Sequence, residues 1–417
     1  MTRARARPAG EHAGSWFLRW TGGWWVATQL FAVAAGVLLT GAAAWQYSGA
    51  NGSWQQSVRA EVSYSAAVQE AVRTVYGDEA PAALRLAMDD VTAGELRKLS
   101  GGNALAVSQR AATEYAALNL RLAYAAKLPV GLPGGQRYAQ PGGGVDVLGR
   151  LRDLRAQELD QLRSQGRAPP DPDAARRAGD AYARRAGMLG LLAVLVTIAV
   201  ALAALVRRQT TPRGKPEQAE LVRQPGRSAP GEGRRIASWV LALWTAGLVL
   251  PLVQLALGAQ EQRAQAASAR LAAALSSDIA VSNARAAFGT QARQLPQELS
   301  VRATARQLGA LDAAPRAAAD ANAVAGAEER AALAAADIGQ AMARAPSAAD
   351  GLEPRLARGL SSAEQDWQAA LREQNGQTEL SDLWGSRSNA AVVLIAVLLA
   401  VAVAIEVHEP YAQRRGR

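Results

Sequence analysis

Residues 24–45 read WWVATQLFAVAAGVLLTGAAAW, an apolar run of 22 residues without Asp, Glu, Lys, Arg or His. About 20 apolar residues in a helix cross the roughly 30 Å hydrocarbon core of a bilayer, and a helix satisfies its own backbone hydrogen bonds there. Three further runs have the same character, and with their flanking residues they place spans at 187–206, 236–258 and 388–406. The sequence therefore predicts an all-α integral membrane protein with four transmembrane helices.

Two large polar segments alternate with these spans. Residues 46–186 follow the first span, and residues 259–387 follow the third. Each is expected to form its own extracytoplasmic helical bundle, because segments of this size can bury a core and the chain has no Cys for disulfides. The other parts are predicted to face the cytoplasm: a basic flank at 1–23, a disordered basic loop at 207–235 and a tail at 407–417.

Basic residues orient the chain. The head, the middle loop and the C-terminal residues 406–417 have net charges of +3, +5 and +1, whereas the two large segments are nearly balanced. Positively charged short loops favour the cytoplasmic side, so both termini are predicted to be cytoplasmic. The arginines that set this topology are Arg207, Arg208, Arg234 and Arg235. The Ala- and Arg-rich composition indicates a bacterium, and the location expected is its cytoplasmic membrane, in a multi-pass arrangement.

Tryptophans mark the ends of the spans. Amphipathic indole rings collect at the headgroup level of a bilayer, and most of the ten Trp residues lie near a predicted interface. The predicted membrane-interface anchors are Trp16, Trp20, Trp24, Trp25, Trp45, Trp239 and Trp384.

Span one also has features of a secretory signal peptide. A basic lead precedes it, and Ala42, Ala43 and Ala44 fit a small-residue cleavage pattern. Its apolar run is longer than the 7–15 residues of a usual signal-peptide core, which favours retention as a membrane helix. Cleavage stays open at this point, and it would leave a chain that starts near Trp45 and lacks span one.

Glycine and proline divide the large segments into helices. Gly77 and Gly102 are expected to end helices, Pro296 and Pro315 to interrupt the second segment, and Pro251 to kink span three. The predicted helical ranges are 55–76, 80–99, 104–127, 145–165, 173–206, 259–288, 317–343 and 356–373.

Apolar spacing predicts which helix faces are buried. In 55–76, Val58, Val62 and Val72 indicate the face toward the core. In 145–165, Arg150 and Arg155 lie among other charged residues and indicate a solvated face.

The two halves of the chain share short patterns. Arg73–x–x–Tyr76–Gly77 returns as Arg285–x–x–Phe288–Gly289, and Glu114–x–Ala116–Ala117–Leu118 returns as Glu329–x–Ala331–Ala332–Leu333. Spans and predicted helices also follow the same order in both halves. We therefore predict a tandem duplication whose copies have the same orientation in the membrane.

A pair of membrane helices that brackets a helical bundle resembles the periplasmic sensing module of bacterial chemoreceptors and sensor histidine kinases. The resemblance covers each half and lies in architecture alone, so it carries over no ligand-binding residue. Those families continue into a cytoplasmic coiled coil, a HAMP segment or a kinase, whereas residues 407–417 follow span four here. The resemblance implies a sensor whose output domain belongs to another polypeptide.

Few side chains offer chemistry in the large segments. Both His residues, His12 and His408, lie in the cytoplasmic flanks, and the absence of Cys excludes thiolate metal sites. Acidic pairs are interpreted as helix caps or solvated positions, and aromatic residues as core filling in preference to pocket lining. The pairs are Asp89 with Asp90, Asp171 with Asp173 and Glu328 with Glu329, and the aromatic residues are Tyr115, Tyr124 and Trp367. No catalytic, cofactor or metal site is predicted.

The sequence favours a non-catalytic, sensor-like or scaffold membrane protein whose outer domains bind a ligand or partner and relay to a separate cytoplasmic protein. The alternative is a structural accessory subunit of a transport, secretion or cell-envelope complex. Expected partners are the lipid bilayer and other membrane or cytoplasmic proteins, a homo-oligomer is compatible, and nucleic acid is not expected. Flat apolar patches on the outer domains would favour a subunit.

Overall fold

A computed structural model describes residues 12–127, 136–140, 144–166, 171–210 and 232–415. Only the backbone is described for helical residues 12–30, 33, 124–127, 136, 204–210, 232–245, 248 and 402–415. These ranges are helical apart from turns and one isolated bridge between Ala139 and Val145. The helices are α1 (His12–Val72), α2 (Ala80–Arg97), α3 (Ala104–Lys127), α4 (Val147–Ser164), α5 (Pro172–Thr210), α6 (Glu232–Ala310), α7 (Pro315–Met342), α8 (Pro354–Ser361) and α9 (Glu364–Arg415).

Two compact units divide the chain. The first consists of Met1–Val58, Asp171–Ser268 and Asn375–Arg417, and the second consists of Arg59–Pro170 and Ala269–Gln374. All four predicted spans fall in the first unit. The second unit combines residues from both large segments.

One hydrophobic core in the second unit draws on both large segments. Val72 and Leu84 of the first segment belong to the same buried cluster as Phe288 and Leu360 of the second. In addition, α2 packs against both α3 and α7. The two segments therefore share a core, which differs from the two separate bundles predicted above. Many buried positions are alanines, and each of these small side chains buries little apolar area.

A π-helical turn, Arg73–Glu79, connects α1 to α2. The sequence predicted a helix end at Gly77, and here the prediction is wrong. Val75, Tyr76 and Glu79 are buried in this turn, and their burial favours a continuous helical backbone. Because a π turn closes with i to i+5 hydrogen bonds, it changes the phase between the faces of α1 and α2.

Proline does not interrupt α6. This helix of 79 residues runs through Pro251 and Pro296, although Pro296 was expected to break the segment. A proline in a helix interior costs about 3 kcal/mol. Leu295 and Leu299 on either side of Pro296 are 6% and 5% exposed, so burial of apolar side chains on each side offsets this cost.

A break separates α8 from α9 where one helix was expected over 356–373. Ser362 has extended backbone angles, φ −63° and ψ 141°. The Asp366 carboxylate accepts a hydrogen bond from the Ala363 amide at 3.0 Å, and Trp367 donates its indole N–H to the Ser362 hydroxyl at 3.0 Å. These side-chain bonds satisfy a new helix start. By contrast, the predicted bounds of α2, α3, α4 and α7 are confirmed within two or three residues.

Small residues line the helix contacts of the first unit. Ala43 of α1, Ala193 of α5 and Leu252 of α6 form one buried cluster. A Cβ added at Gly36 would lie 3.9 Å from the Thr197 hydroxyl, and close approach at small residues is typical of helices packed in membranes.

Two helices among the described residues are long and apolar enough to cross a membrane, over Pro172–Ala203 and Glu364–Val401. They contain the predicted spans at 187–206 and 388–406, apart from residues past their ends. Of the predicted anchors, Trp45 is 72% exposed, and the Arg387 guanidinium lies 5.1 Å from the centre of the Trp384 ring. The side chains of Trp16, Trp20, Trp24, Trp25, Trp239, Arg207, Arg208, Arg234 and Arg235 lie outside the described residues.

Candidate functional site

The interior of the second unit contains several buried charged residues. Burying a charged group costs free energy unless the group is paired and hydrogen-bonded. Each charged residue in this set must therefore be matched by a specific partner. The buried charged residues of the second unit are Glu61, Glu79, Arg150, Arg155 and Glu328.

Glu79 and Arg150 form a bidentate ion pair between the π turn and α4. The Arg150 Nε and Nη2 atoms each donate to a Glu79 carboxylate oxygen at 2.9 Å. The two side chains are 0% and 7% exposed, and this hydrogen bonding raises the pKa of Arg150. Arg150 also lies 6.0 Å from the centre of the Tyr138 ring. Arg150 is thus a core residue, and its predicted place on a solvated face is wrong.

Glu61 joins three helices. The Arg355 Nη1 atom of α8 donates to both Glu61 carboxylate oxygens, at 3.2 and 3.1 Å. The Arg270 Nη2 atom of α6 lies 3.5 Å from the Glu61 Oε2 atom. One buried carboxylate of α1 is therefore held between arginines of α6 and α8. We call Glu61, Arg270 and Arg355 the three-helix charge cluster.

Tyr64 lies next to this cluster and close to two guanidinium groups. The Arg155 and Arg355 guanidinium carbons lie 5.4 and 5.6 Å from its ring centre, a distance at which cations attract the ring face. Burial raises the pKa of the Tyr64 hydroxyl, and nearby Glu353 adds to the shift. Arg155 is 5% exposed, so its prediction as a solvated residue is also wrong.

Asp278 extends the polar interior along α6. Burial raises the pKa of its carboxyl, with Arg358 and Arg355 opposing the shift and Glu61 adding to it. A Cβ added at Gly359 of α8 would lie 2.8 Å from the Asp278 Oδ1 atom. The α8 backbone therefore approaches α6 closely beside the three-helix charge cluster.

Two buried polar atoms near Phe288 have no hydrogen-bond partner among the described residues: the Tyr76 hydroxyl and the Arg285 Nε. Tyr76 is 2% exposed, and burial raises its pKa to about 12 while Arg285 and Arg344 oppose the shift. Arg285 donates from Nη1 to the Leu360 carbonyl at 2.8 Å. The Tyr76 and Phe288 ring centres are 5.9 Å apart. Unpaired buried donors are costly, so these two atoms lower the stability of this corner of the core.

The structure tests the interpretation of the acidic pairs. Asp171 caps α5, because its carboxylate accepts from the Asp173 amide at 3.0 Å. Asp90 is paired with Arg121 at 2.7 Å. Glu328 does not fit, since it is 4% exposed and accepts two hydrogen bonds from Arg306. Within the part of the chain that the structure describes, no group of His, Asp and Glu is arranged to hold a metal ion.

The three aromatic residues that were interpreted as core filling differ in their burial. Tyr115 is 66% exposed, so its interpretation as core filling is wrong, and Trp367 is half-buried at the start of α9. Tyr124 has its side chain outside the described residues. Sequence reasoning missed Glu61 and Glu79, because their arginine partners are 294 and 71 residues away in the chain.

No family model, curated protein or solved structure matches the chain. The functional argument therefore depends on the chain's own geometry.

Proposed function

We propose that this protein is a non-catalytic, sensor-like or scaffold protein of a bacterial cytoplasmic membrane. Four membrane helices anchor it with both termini in the cytoplasm, and residues 59–170 and 269–374 lie outside, where they bind a ligand or a partner protein. Helix movements pass to a separate cytoplasmic protein. The two halves arose by tandem duplication: among the described residues each half begins and ends with a long helix, with three shorter helices, α2 to α4, between them in the first half and two, α7 and α8, in the second.

The three-helix charge cluster is the observation that carries this proposal. Glu61 belongs to α1 and Arg270 to α6, and the same two helices include the predicted spans 24–45 and 236–258. A buried ion pair adds little net stability, but it is strongly unfavourable when one partner moves away. A ligand that displaces α8 through Arg355 would therefore change the free energy of the positions of α1 and α6.

Membrane topology is the first test. Because the chain has no Cys, a maleimide labels only the cysteines that are introduced. Single cysteines are introduced at the exposed residues Ala116 and Leu333 and, separately, at Ser228 of the middle loop. In intact cells, a membrane-impermeant maleimide should label the first two, and it should label the third only after permeabilisation. Labelling of Ser228→Cys in intact cells would overturn the orientation.

Partner capture tests the relay. The intact protein is purified from its native membranes in mild detergent, together with Glu61→Gln and the matched control Asp160→Asn. Asp160 is in an exposed ion pair with Arg163, so its change should leave capture unchanged. Recovery of a signalling protein that falls several-fold in Glu61→Gln supports the relay, whereas equal recovery from all three proteins contradicts it.

A structural accessory subunit is the second candidate, and exposed apolar side chains on α3 favour it. Tyr115, Leu118 and Leu122 are 66%, 50% and 61% exposed, and exposed apolar patches mark protein interaction sites. Capture of transport, secretion or wall-assembly components, unchanged by Glu61→Gln, would support this candidate over a sensor.

A further inference from the structure

An arginine is stacked on an aromatic ring at an equivalent place in each half of the chain. On α5, the Arg185 guanidinium carbon lies 6.0 Å from the centre of the Tyr182 ring. On α9, the Arg387 guanidinium carbon lies 5.1 Å from the centre of the Trp384 ring. In both pairs the ring precedes the arginine by three residues, so the two side chains share one helix face. We call Arg185 and Arg387 the stacked arginines, and they lie just before the second and fourth predicted spans.

Both stacked arginines lie at the edge of exposed apolar surface. Met188 and Leu191 follow Arg185 on α5, Val393 follows Arg387 on α9, and all three apolar side chains are exposed. Among the described residues, α5 and α9 are the helices long and apolar enough to cross a membrane. Arg185 lies about 4.5 Å before Met188 along the helix axis, within the headgroup layer of about 5–8 Å that flanks the hydrocarbon core.

Neither stacked arginine is paired within the part of the chain that the structure describes. Both side chains are exposed, and neither makes an ion pair or a hydrogen bond with another described residue. The nearest acidic residues on the two helices, Asp180 and Asp382, each come five residues earlier, which places them on another side of the helix. Asp180 is also paired with Arg263 at 3.1 Å. The N–H donors of both guanidinium groups are therefore available to an acceptor outside the protein.

Membrane orientation does not account for the stacked arginines. They lie at the outer ends of their predicted spans, whereas basic residues that set topology favour the cytoplasmic side. An acceptor at the outer headgroup level would give each of them a partner that the protein itself does not supply.

We propose that Arg185 and Arg387 each bind the phosphate of one anionic phospholipid, whose acyl chains cover the exposed apolar side chains that follow. A guanidinium presents a planar fork that matches phosphate, and the ring beneath it holds that plane in place. A free anion would satisfy the guanidinium but would leave the apolar surface uncovered, so an amphiphile fits both features. Only the choice of the outer leaflet rests on the proposed function.

Lipid retention by the intact protein tests the two sites. Full-length protein in a neutral detergent is mixed with equal amounts of phosphatidylglycerol and phosphatidylcholine, and native mass spectrometry counts the lipids that stay bound. The wild type should retain two phosphatidylglycerol molecules, Arg185→Gln and Arg387→Gln should retain one each, and the double variant should retain none. The same phosphatidylglycerol count in all four proteins would overturn the proposal.

A matched double variant separates the two sites from an effect of net charge. Arg176→Gln with Arg372→Gln removes two charges from the same two helices, at exposed positions earlier in the chain. This variant should retain both phosphatidylglycerol molecules. Equal loss of lipid in the two double variants would assign binding to net charge and overturn the sites. Because all four arginines are exposed, every variant should keep the wild-type melting temperature in detergent without added lipid.

The lipid sites and the membrane orientation fail in different measurements. The lipid count is taken in detergent and does not depend on which side of the membrane a residue faces, whereas maleimide labelling of Ser228→Cys does. Labelling in intact cells together with an arginine-dependent lipid count would overturn the orientation and assign the sites to the inner leaflet. Labelling only after permeabilisation, together with a lipid count that does not depend on the stacked arginines, would overturn the lipid sites alone.

Discussion

Arg73–x–x–Tyr76–Gly77 and Arg285–x–x–Phe288–Gly289 share a sequence pattern but not a structure. Both aromatic rings are buried and contact each other. The first pattern lies in a π turn, where Arg73 is 69% exposed and pairs with Glu70 at the end of α1. The second lies in α6, and Arg285 donates to the Leu360 carbonyl. The type of helix around each pattern therefore decides whether its arginine is exposed to solvent or hydrogen-bonded to a distant chain segment.

Among these predictions, replacing Glu79, the last residue of the π turn, should change the free energy of unfolding the most. Glu79→Ala should lower the free energy of unfolding by about 3–5 kcal/mol, because it leaves Arg150 buried without its counter-ion. Chemical unfolding of the full chain in detergent, followed by circular dichroism, measures the change. Glu70→Ala is the control at the start of the same region, and it should leave the midpoint unchanged because Glu70 is exposed. Equal effects of the two changes would contradict a structural role of the π turn.

Arg285 and Arg73 give the direct comparison between the two patterns. Arg285→Ala should destabilise the fold by about 2–3 kcal/mol, since it removes charge-assisted hydrogen bonds to main-chain carbonyls. Arg73→Ala should cause no measurable change in the melting temperature. The two variants are compared by thermal unfolding under the same conditions. A larger effect of Arg73→Ala would mean that the π turn depends on its surface ion pair.

Asp89 lies in α2, the helix that follows the π turn, and it should make the stability of the protein depend on pH. At the same distance after Tyr76 and Phe288, α2 carries Asp89 and α6 carries Val301. Burial, with Asp90 adding and Arg302 and Arg85 opposing, raises the pKa of Asp89 from 3.8 to about 6. The folded state therefore binds a proton more tightly than the unfolded state.

Stability from this group should rise as the pH falls from 7 through 6 toward 4, by about 1–2 kcal/mol. Asp89→Asn should remove this dependence and stabilise the protein at pH 7. Unfolding midpoints at pH 7, 6 and 5 measure both effects. An unchanged pH profile in Asp89→Asn would assign the dependence to another group.

The Tyr76 hydroxyl, which Phe288 lacks, should have the smallest effect on stability of the differences between the two patterns. Tyr76→Phe makes the two aromatic positions identical and removes a buried donor that has no partner among the described residues. The change should be neutral or stabilising by up to about 1 kcal/mol. Phe288→Tyr is the reciprocal variant and should destabilise, because it adds a hydroxyl to the core. Clear destabilisation by Tyr76→Phe would show that the hydroxyl binds a group essential to the fold.

Helix ends marked by glycine or proline are the parts of the fold that could be predicted from the sequence. The bounds of α3 and α7 follow from glycine and proline near their ends, and these residues act through their own backbone angles. The buried face of α1 was predicted only in part, since Val72 is 1% exposed as expected. Val62 was predicted to face the core but is 51% exposed, whereas Glu61 is 4% exposed. The partner that makes burial of Glu61 possible, Arg355, is 294 residues away in the chain.

The sequence by itself determined the helical class and the apolar stretches that can cross a membrane, because helix periodicity and apolar runs depend on neighbouring residues. Only the tertiary structure decided that the two large segments share a core and that Glu61, Glu79, Arg150 and Arg155 are buried. A charged residue is solvated by default, and it enters a core only where distant parts of the chain supply its partners. That pairing is a property of the packed helices and has no local signature in the sequence.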